Sequence, residues 1–340
     1  MTRSLLSKTM KTDILPVNGE SLKRAKEIIL NGGTVAFPTE TVYGLGANAF
    51  DGEAVEKIYK IKGRPQDNPL IVHVHSGYDI SALVDEIPDY AKTLSKKFLP
   101  GPLTMIYKSK GKVSKAVSCG LDTLAIRIPS HNGAQEFLKF VNLPVCAPSA
   151  NVSKHVSPVS AEHVYADLNG RIELILDGGK SEGGIESTVL DCTGEIPVIL
   201  RSGLITREQI ESTVGKCGVC DMKDGAPARS PGMKYKHYSP NCSTQLFSYG
   251  EMEKAVEEYA AQSAKGVRVY IMCDSETAEK TGVENILDLG SGESEIASNL
   301  YSKLREGEDV AQLIIAIAPE KQDGVMVGVM NRLTKACKSQ

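Results

Sequence analysis

Lys62 and Arg64 stand two residues apart in the run Lys60-Ile61-Lys62-Gly63-Arg64-Pro65-Gln66-Asp67-Asn68-Pro69-Leu70. Two fixed cations at that spacing can grip a polyanion through charge-assisted hydrogen bonds. A solvated basic turn would look the same in isolation, so the weight rests on its company. Further guanidinium groups occur at Arg127, within Leu124-Ala125-Ile126-Arg127-Ile128-Pro129, and at Arg201, which opens Arg201-Ser202-Gly203. Arginine on an apolar strand is costly to bury without an anionic partner. Ser149 and Asn151 lie in the turn Ala147-Pro148-Ser149-Ala150-Asn151-Val152-Ser153. Their hydroxyl and amide suit phosphate or base recognition, and the same groups could cap the next element instead. Several fixed cations and donors of this kind suit an anionic ligand.

The elements that must position these groups read as mixed α/β. Apolar residues at helical spacing predict helices over 19–31, 54–61, 90–98, 134–141 and 161–168, the second opening near Gly52. Strands are expected over 34–37, 70–75, 103–107, 123–128, 145–148, 172–176, 187–192 and 198–201. Strands outnumber helices, so a sheet with some antiparallel pairing is expected. Gly63 and Pro65 end the second helix at about Ile61, so Lys62 and Arg64 should project from an exposed connection. Thr123 and Arg127, four residues apart on one strand, face the same side. His73 shares a sheet face with Ile71 and His75, and a lone strand histidine is usually structural.

Residues 219–243 are proline-rich and lack periodicity, which marks a linker. Beyond it, strands over 244–247, 268–272 and 313–317 alternate with helices over 252–263 and 296–304. That alternation predicts a small parallel, doubly wound domain. The expected division is a catalytic domain over 12–205, a linker or lid over 206–243 and a C-terminal domain over 244–340.

Composition narrows the class. Hydrophobic content of 41% and charged content of 24% are those of a globular chain, and 340 residues suffice for two domains. No apolar run approaches the ~20 residues that span a bilayer. Residues 1–11 lack the apolar core of a secretory signal, and the chain reads as cytoplasmic. A net charge of -3 argues against general affinity for nucleic-acid backbones. The 8 cysteines are scattered, several in apolar runs, as small buried hydrophobes in a reducing compartment would be.

Three apparent motifs fail on their spacing. Gly44-Leu45-Gly46-Ala47-Asn48-Ala49 fits a dinucleotide fingerprint, but Pro38 and two threonines separate it from the preceding strand. Gly179-Lys180-Ser181 would need an earlier glycine where Leu174 stands. Cys217-Gly218-Val219-Cys220, with His237 and Cys242 downstream, has no second close pair to complete a zinc site. No close carboxylate pair marks a metal cage.

Taken in order, Pro38-Thr39-Glu40-Thr41-Val42-Tyr43-Gly44-Leu45-Gly46, residues 60–70, Pro100-Gly101-Pro102-Leu103-Thr104, and the runs at 124–129, 147–153 and 186–191 resemble the YrdC-like family of L-threonylcarbamoyl-AMP synthases. Ser230-Pro231-Gly232-Met233-Lys234-Tyr235-Lys236-His237-Tyr238-Ser239-Pro240 and Met330-Asn331-Arg332-Leu333 resemble its long form, and the likeness spans about residues 12–336. The resemblance implies an α/β fold, with an N-terminal YrdC-like twisted mixed sheet, flanking helices and a small C-terminal Rossmann-like domain. It implies a nucleotidyltransferase that joins L-threonine, bicarbonate and ATP into threonylcarbamoyl-AMP and releases pyrophosphate. The product would serve formation of N6-threonylcarbamoyladenosine in tRNA.

By the same resemblance, Lys62 and Arg64 are catalytic and bind ATP together with Asn68, Thr123, Ser149, Asn151, Ser157, Arg201 and Tyr238. Thr41, His73, Arg127 and Ser187 would hold threonine, with Arg127 taking its carboxylate as a bidentate pair. Mg2+ is expected on the ATP phosphates rather than in a protein site of its own. Downstream tRNA threonylcarbamoyl-transfer proteins would receive the product, with no membrane partner and no strong direct binding of nucleic acid. The family pattern carries Gly where this chain has Lys154, and more often Arg-Pro-Gly where it has Arg201-Ser202-Gly203. Residues 230–240, rich in donors and stacking surface, are expected to close over ATP as a lid. Two rival readings share these residues. One is an RNA-binding module using the basic cleft, which the absence of Trp and the 6 Phe disfavour. The other is a carbamoyl-adenylate-handling enzyme of the same fold, whose extra zinc-finger and acylphosphatase-like segments this chain lacks.

Overall fold

Short apolar runs such as Val35-Ala36-Phe37, Ile71-Val72-His73 and Val145-Cys146-Ala147 are buried at every position. Strands of that kind belong to a sheet covered on both faces. In the computed structural model, which describes residues 10–220 and 238–337, they form its centre. The strands of the first unit are β1 (Asp13–Pro16), β2 (Val35–Phe37), β3 (Gly44–Asn48), β4 (Ile71–His73), β5 (Leu103–Lys108), β6 (Thr123–Arg127), β7 (Val145–Ala147), β8 (Leu174–Asp177), β9 (Thr188–Asp191), β10 (Val198–Arg201) and β11 (Gly218–Val219). Their order across the sheet is β1-β8-β2-β3-β7-β4-β6-β5-β9-β10-β11. Pairing is mixed: β4 runs parallel to β6 and β5 parallel to β9, while β2–β3, β3–β7, β4–β7 and β5–β6 are antiparallel.

Helices Gly52–Lys62, Asp89–Phe98 and Ala161–Leu168 pack Ile58, Leu94 and Val164 into the core on one face. Helices Gly19–Leu30 and Asn132–Val141 pack Ile29 and Phe137 into a second core on the other. The sequence reading gave no strand at β3, because glycines at 44 and 46 are poor strand formers. They serve close packing instead. A Cβ on Gly46 would lie 2.7 Å from Val145 Cγ1, and one on Gly44 3.1 Å from Phe37 Cζ.

Residues 206–219, expected to begin the linker, pack with the first unit. Helix Arg207–Val214 and the segment after it place Ile210 and Cys217 in its core, and β11 pairs with β10. Of the lid expected over 230–240, residues 230–237 lie outside the described residues. The second sheet holds β12 (Ser243–Phe247), β13 (Val269–Cys273), β14 (Ile286–Asp288) and β15 (Leu313–Ile317), all parallel in the order β12-β15-β13-β14. This is the doubly wound pattern that the strand–helix alternation predicts. Among the described residues no helix is long and apolar enough to cross a membrane.

The two units meet closely. Gly184 has φ +68°, and a Cβ there would stand 2.2 Å from Ala297 O on helix Gly292–Val310, so only glycine fits this approach. Arg305 pairs with Asp167 at 3.0 Å on the same seam. His155 contacts Asp167 at 3.0 Å through Nδ1 and Glu308 at 2.7 Å through Nε2, so both ring nitrogens donate. Burial and the nearby Arg305 act to lower the His155 pKa, but the hydrogen bonds to the two carboxylates outweigh them and raise it to about 9. A folded pKa above the unfolded value of about 6.5 gives stability that is complete below that value and lost as pH rises through about 9. The melting temperature of the wild type should therefore fall more steeply between pH 7 and pH 10 than that of His155→Asn. Parallel pH profiles for the two proteins would contradict this role.

Candidate active site

Helix Gly52–Lys62 buries Ala54, Val55, Ile58, Tyr59 and Lys62 along one stripe. Asp51 caps its start by accepting from Glu53 N and Ala54 N, and Gly63 ends it at φ 60°. Lys62 is therefore the last residue of the helix, on its inward face, and only 2% exposed. This corrects the exposed connection expected from the sequence: position 62 lies four residues after Ile58, where helical spacing points it into the core. Its Nζ donates to Ser149 O at 2.6 Å and Asn151 O at 2.5 Å, tying the helix end to the Ser149–Asn151 turn. Burial, with the charge of Arg64 beside it, pushes its pKa well below the ordinary lysine value.

Arg64 follows the cap and donates Nη2 to Asn68 O at 3.1 Å and Pro69 O at 3.4 Å. Its Nε is buried without a hydrogen-bond partner among the described residues, and so are both side-chain amide atoms of Asn68. Buried polar atoms left unpaired are rare in native folds and call for a partner.

Sheet register sets the next group. Arg127 is paired with Thr104 on β5 and with His73 on β4, so the three side chains share one face. His73 Nδ1 contacts Ile71 O at 3.1 Å. Burial and the charge of Arg127 push its pKa down to about 3. The ring is thus neutral, with Nδ1 donating and Nε2 left as an acceptor. Arg127 Nη2 forms a buried ion pair with Glu40 Oε1 at 2.8 Å, and Arg127 Nε has no hydrogen-bond partner among the described residues. Ser187, just before β9, shares a 2.8 Å hydrogen bond with Thr104 Oγ1. Arg201, at the end of β10, donates to Ser187 O at 2.9 Å and to Ser187 Oγ at 3.2 Å.

These groups converge on one cleft. Of the residues singled out in the sequence, Arg64, His73, Arg127, Ser149, Asn151, Ser157, Ser187, Arg201 and Tyr238 line it. Lys62 lies one layer beneath the Ser149–Asn151 turn. Thr41, Asn68 and Thr123 are not among its lining residues. Thr41 is fully buried, its hydroxyl 2.9 Å from Thr39 Oγ1, and it is Thr39 that lines the wall. Thr123 shares a face with Arg127 but stands at the other end of β6, roughly 13 Å away at the usual rise per residue.

The turn does two jobs. Ser149 Oγ donates to Asn151 Oδ1 at 2.5 Å, and Asn151 Nδ2 donates to Val152 O and His155 O, each at 2.8 Å. It is internally satisfied and still faces the cleft. Lys154 takes φ 76°, the left-handed backbone that glycine adopts most easily, so the loop keeps that geometry without its glycine.

Sequence reasoning missed Glu40 and Glu186. Glu186 also lines the cleft and is 8% exposed. Its Oε1 accepts from Ser157 Oγ at 2.7 Å, and its Oε2 from Tyr301 OH at 2.9 Å and Arg332 Nε at 3.1 Å. Burial alone would raise this carboxyl, but Arg332 and Arg201 outweigh it and hold the pKa at about 2. Glu186 opens a run already singled out, yet no spacing rule could join it to an arginine 146 residues away. Tyr238 stacks on Tyr301 with ring centroids 5.3 Å apart, which closes the cleft on the side of the second unit.

Comparison with known proteins agrees with this geometry. Residues 27–203 match the Sua5, YciO and YrdC family model, described as Telomere recombination, and residues 205–337 match Threonylcarbamoyl-AMP synthase, C-terminal domain. The chain is 41% identical over 334 residues to a threonylcarbamoyl-AMP synthase of Bacillus subtilis, covering 96% of this chain and 95% of that one. It is 39% identical over 321 residues to one from Pyrococcus abyssi, covering 93% of each. The crystal structure of P. abyssi Sua5 complexed with L-threonine superposes with a TM-score of 0.87 at 38% identity, over 97% of each chain. Two matched domain models and relatives aligned nearly end to end place the chain in the Sua5, YciO and YrdC family of threonylcarbamoyl-AMP synthases, in its two-domain form.

Proposed function

We propose that the protein is a nucleotidyltransferase that makes threonylcarbamoyl-AMP and pyrophosphate from L-threonine, bicarbonate and ATP. The observation that carries this reading is a set of buried donors without a hydrogen-bond partner among the described residues, on Arg64, Asn68 and Arg127 Nε, in and around a cleft that also holds Arg201 and a neutral His73. Groups so placed suit several small anions at once, and a crowd of that kind matches the three reactants.

Arg127 would take the threonine carboxylate through its fork, which it now shares with Glu40, with His73 Nε2 and Ser187 offering an acceptor and a hydroxyl to the rest of the amino acid. Arg64 and Arg201 would hold the polyphosphate, and the Ser149–Asn151 turn with Ser157 and Tyr238 would hold the remainder of the nucleotide. Thr41 and Asn68 would act just outside the cleft wall, whereas Thr123, at the far end of β6, would meet only a part of the nucleotide that extends beyond the cleft. In the reaction the threonine amine and bicarbonate lose water to form a carbamate. A carbamate oxygen then bonds to the α-phosphorus of ATP as the bond to the β-phosphate bridge breaks and pyrophosphate leaves. Fixed cations stabilise that departing charge without reorganising, and confinement in one cleft supplies the proximity that a weak nucleophile needs.

Mg2+ would travel on the ATP phosphates and neutralise part of their charge, because Glu186, the acid among the described lining residues, is committed to three donors. We place the enzyme in the cytoplasm, in keeping with its 8 unpaired cysteines. It would hand its product to separate proteins that modify adenosine in tRNA.

Arg127→Lys tests the threonine subsite. Lysine keeps the charge and loses the planar fork, so KM for threonine should rise by roughly tenfold or more while KM for ATP changes little. An unchanged KM for threonine would remove Arg127 from this role.

A further inference from the structure

A buried carboxylate in a site for a triphosphate is an electrostatic liability, and Glu186 occupies that position. Its counter-charge comes from the other domain. Arg332, on helix Met326–Cys337, is 0% exposed and reaches Glu186 Oε2 through Nε at 3.1 Å. Its Nη1 donates to Ser202 O and Gly328 O, which fixes the guanidinium against the loop that follows Arg201. Tyr301, on helix Gly292–Val310, donates to the same carboxylate oxygen at 2.9 Å. Arg201 lies within electrostatic reach of both Glu186 and Arg332. Without Arg332, the negative charge of Glu186 would face the phosphates and compete with them for Arg201.

We propose that the second domain completes the nucleotide site, with Arg332 as a positioning residue that masks Glu186 so that Arg201 acts on the phosphates. This rests on the ATP reading above. It gives the second domain a defined part in the reaction: supplying a second positive charge at Glu186, so that Arg201 is not the only one available to neutralise it. Because the mask acts on charge, its loss penalises a ligand in proportion to the ligand's own charge. A purely structural role would weaken charged and uncharged ligands alike.

The test is calorimetric titration of full-length protein with ATP and with adenosine, in the absence of threonine and bicarbonate. The readout is the ratio of the two affinities. Arg332→Gln should lower the preference for ATP over adenosine by roughly tenfold, the scale of one unmasked charge near a polyphosphate. Glu186→Gln should raise that preference, because it leaves Arg332 uncompensated. The double variant should return to within about twofold of the wild type, as expected when two coupled charges are removed together. If Arg332→Gln does not fold, Glu186→Gln and the charge-neutral double variant still decide the question. Affinities for ATP and adenosine that change in step, or a lowered preference in Glu186→Gln, would overturn the proposal. A wild type that does not bind ATP would overturn both this inference and the functional reading beneath it.

Discussion

Replacing Arg64 by alanine should cut threonine-dependent pyrophosphate release by roughly a hundredfold or more and leave the fold in place. Among the described residues the side chain spends only Nη2, on the main-chain oxygens of Asn68 and Pro69, and keeps a buried Nε without a partner. Its loss should cost little stability, within about 1 kcal/mol for a residue that packs no core. Loss of a fixed cation aimed at transferring phosphoryl groups is far more damaging to turnover. A coupled pyrophosphate assay with a thermal melt separates the two effects. Wild-type turnover in Arg64→Ala would remove this arginine from the site.

Lys62→Ala should fail differently, in stability as well as turnover. Its ammonium holds two carbonyl oxygens, Ser149 O and Asn151 O, at the buried join between the helix end and the turn. Leaving those acceptors unsatisfied costs about 1–3 kcal/mol each, and the Ser149–Asn151 turn loses the anchor that aims it at the cleft. Chemical denaturation should show a loss of about 2–6 kcal/mol beside near-complete loss of activity. If stability is unchanged and only turnover falls, Lys62 points into the cleft on binding ATP, and the buried anchoring role is wrong.

The contrast between these neighbours shows what the sequence held and what it did not. The apolar stripe at 54, 55, 58 and 59 predicts the helix, and its continuation to 62 was there to be read. The Gly-Arg-Pro that follows drew attention to a turn instead. Strands such as β5 and β6 are legible because their runs are long and β-branched or aliphatic. β3 is not, because its glycines are chosen for the space that Phe37 and Val145 leave rather than for strand propensity. Helix Arg207–Val214 buries only Ile210, so it has almost no periodic signal, although Thr206 and Gln209 form a capping box. Arg64, Arg127 and Arg201 stand out as cations in apolar or tight settings, and each lines the cleft. Glu186 with Arg332, and Arg127 with Glu40, are contacts made by tertiary packing, and local pattern carries no trace of them.

The central claim is that one cleft joins threonine, bicarbonate and ATP. It is tested most directly by incubating the purified full-length protein with ATP, Mg2+, radiolabelled bicarbonate and single amino acids, then separating the nucleotides. The account predicts pyrophosphate release that depends on threonine, with label recovered in an AMP adduct and absent when threonine is omitted. Pyrophosphate release indifferent to threonine, or an AMP adduct without label, would contradict it.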